Sequence, residues 1–184
     1  MLIEAELKAR VKEPETVLAA LDKLAVARVE VYQDAYYDLP DGSIMAEDRE
    51  LRVRTVHGPE STRSVLTYKE PRVDASGSKP EYETVVDNPA AVHTMLKGLG
   101  YVPAIAFEKR CRNYEFTTAG RGMLATLVQV PEIDGTFLEV ETQADDEDLQ
   151  EALAEVRTVL AELGISVEDL TAEAYTDAVA AARR

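Results

Sequence analysis

Cysteine and histidine are almost missing from this chain, which holds one cysteine, Cys111, and two histidines, His57 and His93. A single thiol closes no internal disulfide, so a reducing, cytoplasmic setting is expected. The same scarcity excludes a zinc centre of usual composition and leaves little for a histidine-based nucleophilic triad. His57 reads as a turn residue, His93 as a helix residue and Cys111 as a small, buried strand residue. Long apolar runs are missing as well. No stretch approaches the roughly 20 residues of a membrane helix, and Glu4 and Glu6 interrupt the N-terminus before any apolar run, so no secretory signal is expected. Neither common glycine-rich phosphate loop occurs, and Gly120 and Gly122 read as hairpin residues. Positive charge is in deficit, with 20 Lys and Arg against 35 Asp and Glu and a net charge of -15. That balance argues against a duplex nucleic acid as partner.

What is present is an ordinary globular composition, 46% apolar and 30% charged over 184 residues, enough for a single domain spanning 1–184 with a real core. Four helices are expected. The first begins at Pro14, with Val17, Leu18, Leu21 and Leu24 at helical spacing. Asn88-Pro89 starts the second, and its stripe of Val92, Met95, Leu96 and Leu99 stops around Gly98 and Gly100. Leu149, Leu153, Val156, Leu160 and Leu163 mark the third, ending at Gly164. The fourth runs from near Thr171 to the basic Arg183-Arg184 end. Between them lie eight strand candidates at 2–10, 28–38, 49–56, 62–69, 80–87, 107–116, 123–130 and 136–142. Turns at 40–42, 57–59 and 119–122 join antiparallel neighbours, and the turn-rich segment 70–80 is expected as a loop. The fold class that follows is α+β: an eight-stranded antiparallel closed barrel with helices packed outside.

The strands carry an unusual charge pattern. In a strand, alternate side chains share a face. Glu4, Glu6 and Lys8 therefore point one way and Ile3, Ala5 and Leu7 the other. Arg52 and Arg54 share a face, as do Lys79, Glu81 and Glu83, and Glu139 and Glu141, while Lys69 ends another strand. A solvent-facing sheet explains any one of these. Recurrence with both signs of charge points to a closed sheet whose polar face lies inside. Unpaired charges crowded there are costly, and a ligand resolves the cost: the cations grip a polyanion and the carboxylates hold divalent metal, Mg²⁺ in particular favouring a few carboxylates plus substrate phosphates.

These residues carry a resemblance. Glu4-x-Glu6-x-Lys8, Gln33-Asp34-Ala-Tyr36-Tyr37-Asp38, Leu51-Arg52-Val-Arg54, Thr67-Tyr-Lys69, Lys79-Pro-Glu81-Tyr-Glu83, Glu108-Lys109-Arg110, Phe137-Leu-Glu139-Val-Glu141 and Ala174-Tyr175-Thr-Asp177 follow in the order seen in CYTH-domain proteins. The chain resembles that family, the triphosphate tunnel metalloenzymes, over nearly its whole length. The resemblance implies a tunnel that binds a triphosphate with Mg²⁺ or Mn²⁺. It assigns Glu4, Glu6, Glu139 and Glu141 to the metal side, and Lys8, Arg52, Arg54, Lys69 and Lys109 to the phosphates, with Lys8, Arg52, Arg54 and Lys69 as the catalytic set. Glu81 and Glu83 match a further acidic pair, and Lys79 a basic residue before it.

Two departures from the family pattern stand out. A basic–x–basic pair is usual on the sixth strand, whereas here Lys109 pairs in parity with Cys111, and Arg110 with Arg112. Either a bulge shifts the register or one parity alone supplies the tunnel, so Lys109, Arg110 and Arg112 are all substrate-binding candidates. Gln129 stands where the family often has an aspartate near the metal, and is expected at the substrate with weaker metal affinity or altered chemistry. The activity implied is that of a class IV adenylyl cyclase, converting ATP to cyclic AMP and pyrophosphate. An inorganic or thiamine-type triphosphatase is the alternative, and a non-catalytic polyphosphate- or nucleotide-binding module the third reading. The partner is a nucleotide or other triphosphate, with no nucleic acid and no membrane. The oligomeric state is left open, a homodimer included.

Overall fold

The computed structural model describes residues 2–184. Eight strands are defined: β1 (Ile3–Val11), β2 (Arg28–Asp38), β3 (Glu50–His57), β4 (Thr62–Lys69), β5 (Lys79–Val85), β6 (Val102–Thr118), β7 (Arg121–Gln129) and β8 (Thr136–Ala144). They close into an antiparallel barrel in the order β1-β5-β4-β3-β2-β6-β7-β8. Closure is thin at one seam, where β1 meets β5 only through Ile3 opposite Pro80 and Glu4 opposite Lys79. Elsewhere the ladders are long, and β1 pairs with β8 over all nine of its residues.

The described residues also form five helices: α1 (Pro14–Leu24), α2 (Ser43–Ala46), α3 (Pro89–Gly98), α4 (Leu149–Glu162) and α5 (Tyr175–Ala182), with a 3-10 turn at Val167–Asp169. The sequence expectations hold for α1, α3 and α4, each with its terminal signal. Pro14 occupies the first turn of α1. The Asn88 side chain accepts from the Ala91 amide at 3.0 Å and caps α3. Gly164, at φ 84°, ends α4, where the Ile165 amide returns to the Leu160 carbonyl at 2.9 Å. That left-handed closing residue is what glycine supplies without strain. Three details differ from expectation. The last helix starts at Tyr175, because 171–174 run extended; α2 is a single short turn without apolar periodicity; and β6 begins at Val102, five residues early. A register shift opposite Tyr36 and Tyr37 lets β6 carry Pro103 near its start.

The barrel is apolar outside and charged inside. Ile3, Ala5, Leu7 and Ala9 of β1, with Leu138 and Val140 of β8, pack under Leu153, Val156 and Leu160 of α4 in one cluster. Leu96 of α3 covers Val53 and Tyr37 in a second. Burial of such side chains stabilises by about 1.5–3 kcal/mol each, so the helices fix which strand face points outward. A third apolar cluster sits within one end of the barrel. There Tyr36, Phe107, Val128 and Phe137 meet Tyr175 and Val179, so α5 stoppers that end.

Candidate active site: a charged tunnel

With the aliphatic parity committed outward, the opposite parity of every strand faces one interior. A cavity of about 290 Å³ runs through it, lined by Glu4, Glu6 and Lys8, by Arg52 and Arg54, and by Lys69, Glu81, Glu83, Lys109, Glu139 and Glu141. A second cavity of about 150 Å³ shares Glu4, Glu6, Lys8, Glu50 and Lys69 with the first and opens between Asp48, Arg72 and Lys79. Together they form a tunnel with two mouths, the second bordered by Thr171, Ala172 and Ala174.

One wall is acidic. Glu4, Glu6 and Glu141 each bring a carboxylate oxygen within 4.8 Å of the others. Burial first, then Glu139 and Glu4, push the Glu6 carboxyl up to about 8. Burial, Glu4 and Glu6 raise Glu141 well above the ordinary carboxylate range. Lys69 partly offsets this charge, contacting Glu4 and standing 2.7 Å from Glu81. An all-oxygen donor set with surplus negative charge suits a hard divalent cation. Glu139 differs: Lys109 and Lys8, acting against its burial, hold its carboxyl below the usual range. It lines the same cavity as the acidic trio and stands opposite Lys8 in the β1–β8 ladder.

The facing wall is basic. Arg54 grips the buried Asp34 with two nitrogens, at 2.6 and 2.8 Å, and its guanidinium lies over the Tyr32 ring at 4.4 Å. Despite burial, that pair drives Asp34 far below the ordinary carboxylate range. Arg52 differs. It is only 6% exposed, donates to the Thr67 hydroxyl at 3.2 Å, and its Nε finds no partner. Thr67 in turn donates to Glu83 at 3.0 Å. Among the described residues, no carboxylate lies within ion-pair distance of Arg52. Tyr175 completes the wall, its ring 4.3 Å from the Lys8 ammonium and 4.2 Å from that of Lys109. The Tyr175 hydroxyl is turned toward Glu139 without a hydrogen bond of ordinary geometry. Burial lowers the Lys8 ammonium, with Glu139 and Glu6 opposing the shift, and Lys8 donates to the Glu173 carbonyl.

Three expected positions are corrected. Arg110 and Arg112 point outward, because Lys109, Cys111 and Asn113 share the inner parity and no bulge interrupts β6 between 109 and 113. Gln129 is also outside: on β7 the inner parity belongs to Thr126 and Val128, and Gln129 shares an outer cleft with Arg110 and Arg112, donating to Thr136 at 3.3 Å. An amide on the outer surface substitutes for nothing at the metal. Lys79 stands at the second mouth, donating to the Asp48 carbonyl at 2.7 Å and pairing with Glu50 at 3.1 Å. Sequence reasoning gave no role to Asp34, Tyr36, Glu50 or Tyr175, although alternation along β2 and β3 already placed the first three inside. Arg28 and Arg63 were also missed, and both line the first mouth.

Several solved structures share this architecture. The PH1819 protein from Pyrococcus horikoshii OT3 is 24% identical, the match covering 98% of this chain and 99% of that one with a TM-score of 0.85. A Vibrio parahaemolyticus protein described as a candidate adenylate cyclase is 19% identical over 97% and 98% of the two chains, with a TM-score of 0.80. A candidate adenylyl cyclase from Hippeastrum, described as having a dominant triphosphatase activity, is 17% identical over 98% and 96%, with a TM-score of 0.67. At these identities the likeness is one of fold. No curated protein matches the sequence. A family model described as the CYTH domain matches residues 2–175, and the chain belongs to the CYTH-domain family.

Proposed function

We propose that this protein is a metal-dependent enzyme acting on a triphosphate, with ATP cyclisation to cyclic AMP and pyrophosphate as the reaction its tunnel fits best. The family's members typically act on triphosphates. The observation that carries the reading is Arg52, a buried guanidinium with an unpartnered nitrogen, facing the same cavity as the Glu4–Glu6–Glu141 wall. An unsatisfied buried cation and an unbalanced carboxylate trio are both costly in a protein interior. A metal–triphosphate complex satisfies the two at once.

In this reading Glu4, Glu6 and Glu141 hold the divalent ion, which when bound neutralises charge on the phosphate oxygens. Arg52, Arg54, Lys8 and Lys109 grip the phosphates. Phosphoryl and nucleotidyl transfer depend mainly on positioning and on stabilising developing charge. For cyclisation, the ribose 3′-hydroxyl attacks the α-phosphorus, the bond from that phosphorus to the bridging oxygen breaks, and pyrophosphate leaves on the cations. The hydroxyl proton passes to water, while Lys8, an ammonium that donates to the Glu173 carbonyl and lies over the Tyr175 ring, stays among the cations that hold the phosphates. Hydrolysis uses the same grip with water as nucleophile. The Hippeastrum protein keeps that second reading in view, since a triphosphatase activity is described for it.

Incubation with ATP, thiamine triphosphate and inorganic triphosphate, each with Mg²⁺ or Mn²⁺, followed by product identification, tests the proposal. Cyclic AMP and pyrophosphate from ATP are expected. ADP and orthophosphate would move the assignment to hydrolysis, and no turnover of any of the three would overturn it.

A further inference from the structure

Most cations that line the tunnel already hold a carboxylate. Arg54 grips Asp34, Arg63 of β4 meets the buried Glu30 of β2 at 2.8 Å, and Lys69 contacts Glu4 and Glu81. Arg52, Lys8 and Lys109 are different: among the described residues, none of the three has a carboxylate at ion-pair distance. Arg52 has the Thr67 hydroxyl. The two ammonium groups share another partner, the ring of Tyr175, whose centroid lies 4.3 Å from Lys8 and 4.2 Å from Lys109. Burial lowers the Lys8 ammonium, Glu139 and Glu6 oppose this, and the like charge of Lys109 adds to it. The two ammonium groups therefore repel one another, with little solvent around the buried Lys109 to screen them.

An aromatic face attracts an ammonium group without neutralising it. A carboxylate in the same place would hold the cation more tightly, but an incoming phosphate would then have to displace it. Tyr175 is itself firmly seated. Its ring meets that of Phe137 edge-on, the centroids 5.3 Å apart, and Val179, one turn later in α5, is fully buried in the same cluster. The residues before it dock on β1: the Thr171 amide donates to the Lys8 carbonyl at 2.9 Å, Leu170 bridges to Ala9, and Glu173 pairs with Arg10 at 3.2 Å. The Glu173 carbonyl accepts from the Lys8 ammonium, which keeps further N–H donors for a phosphate. The Tyr175 hydroxyl is buried without a hydrogen-bond partner, so the ring, not the hydroxyl, makes these contacts.

We propose that Tyr175 is a positioning residue of the phosphate grip: its ring holds the Lys8 and Lys109 ammonium groups together in the tunnel with their charge unneutralised, in place before the triphosphate enters. The grip is then completed from outside the sheet, by the segment that leads into α5. Tyr175 acts through the two lysines and needs no contact with the substrate. This inference rests on the triphosphate reading above.

Calorimetric titration of inorganic triphosphate with Mg²⁺ into full-length variants tests it. Tyr175→Leu keeps an apolar side chain against Phe137 and removes the ring, so affinity should fall by about tenfold, the scale of cation–π contacts at a desolvated site. Tyr175→Met removes the ring in the same way and serves if the leucine variant folds poorly. Tyr175→Phe restores the ring without the hydroxyl and should recover most of the lost affinity. In a Lys109→Met background, Tyr175→Leu should cost only about threefold, because one of its two contacts is gone; damage to the fold alone would repeat the tenfold loss. Unchanged affinity without the ring, a loss in Tyr175→Phe as large as in Tyr175→Leu, or an undiminished loss in the Lys109→Met background would each overturn this inference and leave the triphosphate reading intact. A wild type that binds no triphosphate would overturn both.

Discussion

Glu6 lies directly opposite Glu141 in the ladder between β1 and β8, so two carboxylates face each other on the inner wall of the barrel. Like charges at opposed positions of an antiparallel pair destabilise it, and burial intensifies the effect. One step along, Lys8 lies opposite Glu139, and there the charges compensate. The barrel therefore carries its electrostatic strain at one place, the wall to which metal is assigned.

A pH dependence follows. The Glu6 carboxyl titrates near 8 in the folded chain and near the ordinary 4.5 when unfolded. The folded state holds its proton more tightly, so stability is full below about 4.5 and is lost as pH rises through about 8. Thermal unfolding of the metal-free protein should show Tm falling between pH 5 and 8. Added Mn²⁺ should restore it, since metal binding displaces that proton. A Tm that rises with pH over this window would contradict the assignment.

Removing the charge at Glu6 separates stability from function. Glu6→Gln keeps the shape and relieves the opposition to Glu141, worth roughly 1 kcal/mol for such a pair. The metal-free Tm should rise by about 2–4 °C, while metal-dependent turnover falls by at least about a hundredfold. Retained activity at limiting Mg²⁺ would remove Glu6 from the metal site.

The two tunnel arginines should respond in opposite ways. Arg52 has no carboxylate partner, so Arg52→Ala should leave the ligand-free protein about as stable as before. It should cost triphosphate affinity about tenfold or more, a charge-assisted hydrogen bond being worth roughly 1.5–3 kcal/mol. Arg54→Ala strands the buried Asp34, and breaking such a pair costs about 3–5 kcal/mol of stability. Chemical denaturation of both variants measures the contrast; equal destabilisation would contradict it.

Gln129 offers a check on the direction of β7. Because its side chain lies outside the barrel, Gln129→Asp should leave turnover and metal preference unchanged, within about twofold. A marked gain of activity would place the residue back at the metal.

How much of this was legible in the sequence depends on what set the parity of each strand. On β1, β3 and β8 the charges alternate with Ile, Leu and Val, and a period of two fixes the inner face before any coordinates. On β7 no charged residue faces inward, so nothing in Met123–Val130 anchors the parity, and Gln129 was placed on the wrong face. On β6 three basic residues, Lys109, Arg110 and Arg112, divide between the two faces, and the unbroken pairing with β2 at Lys109 and Cys111 decides which face is inner. The Glu30–Arg63 contact was illegible for another reason. It joins residues 33 positions apart on β2 and β4, across the full width of β3, and only the paired meander of the three strands brings them together. The stopper formed by α5 escaped in part because Tyr175 reads equally as a helix-start residue or as a core aromatic.

The most direct test of the account is a calorimetric titration of inorganic triphosphate into wild type and Arg52→Ala, each with and without Mg²⁺ or Mn²⁺. The account predicts tight binding only with wild type and metal together, weakened about tenfold or more by Arg52→Ala and lost without metal. Binding of equal strength in both proteins and independent of metal, or no binding under any condition, would contradict the claim that the carboxylate wall and the arginine wall serve one ligand.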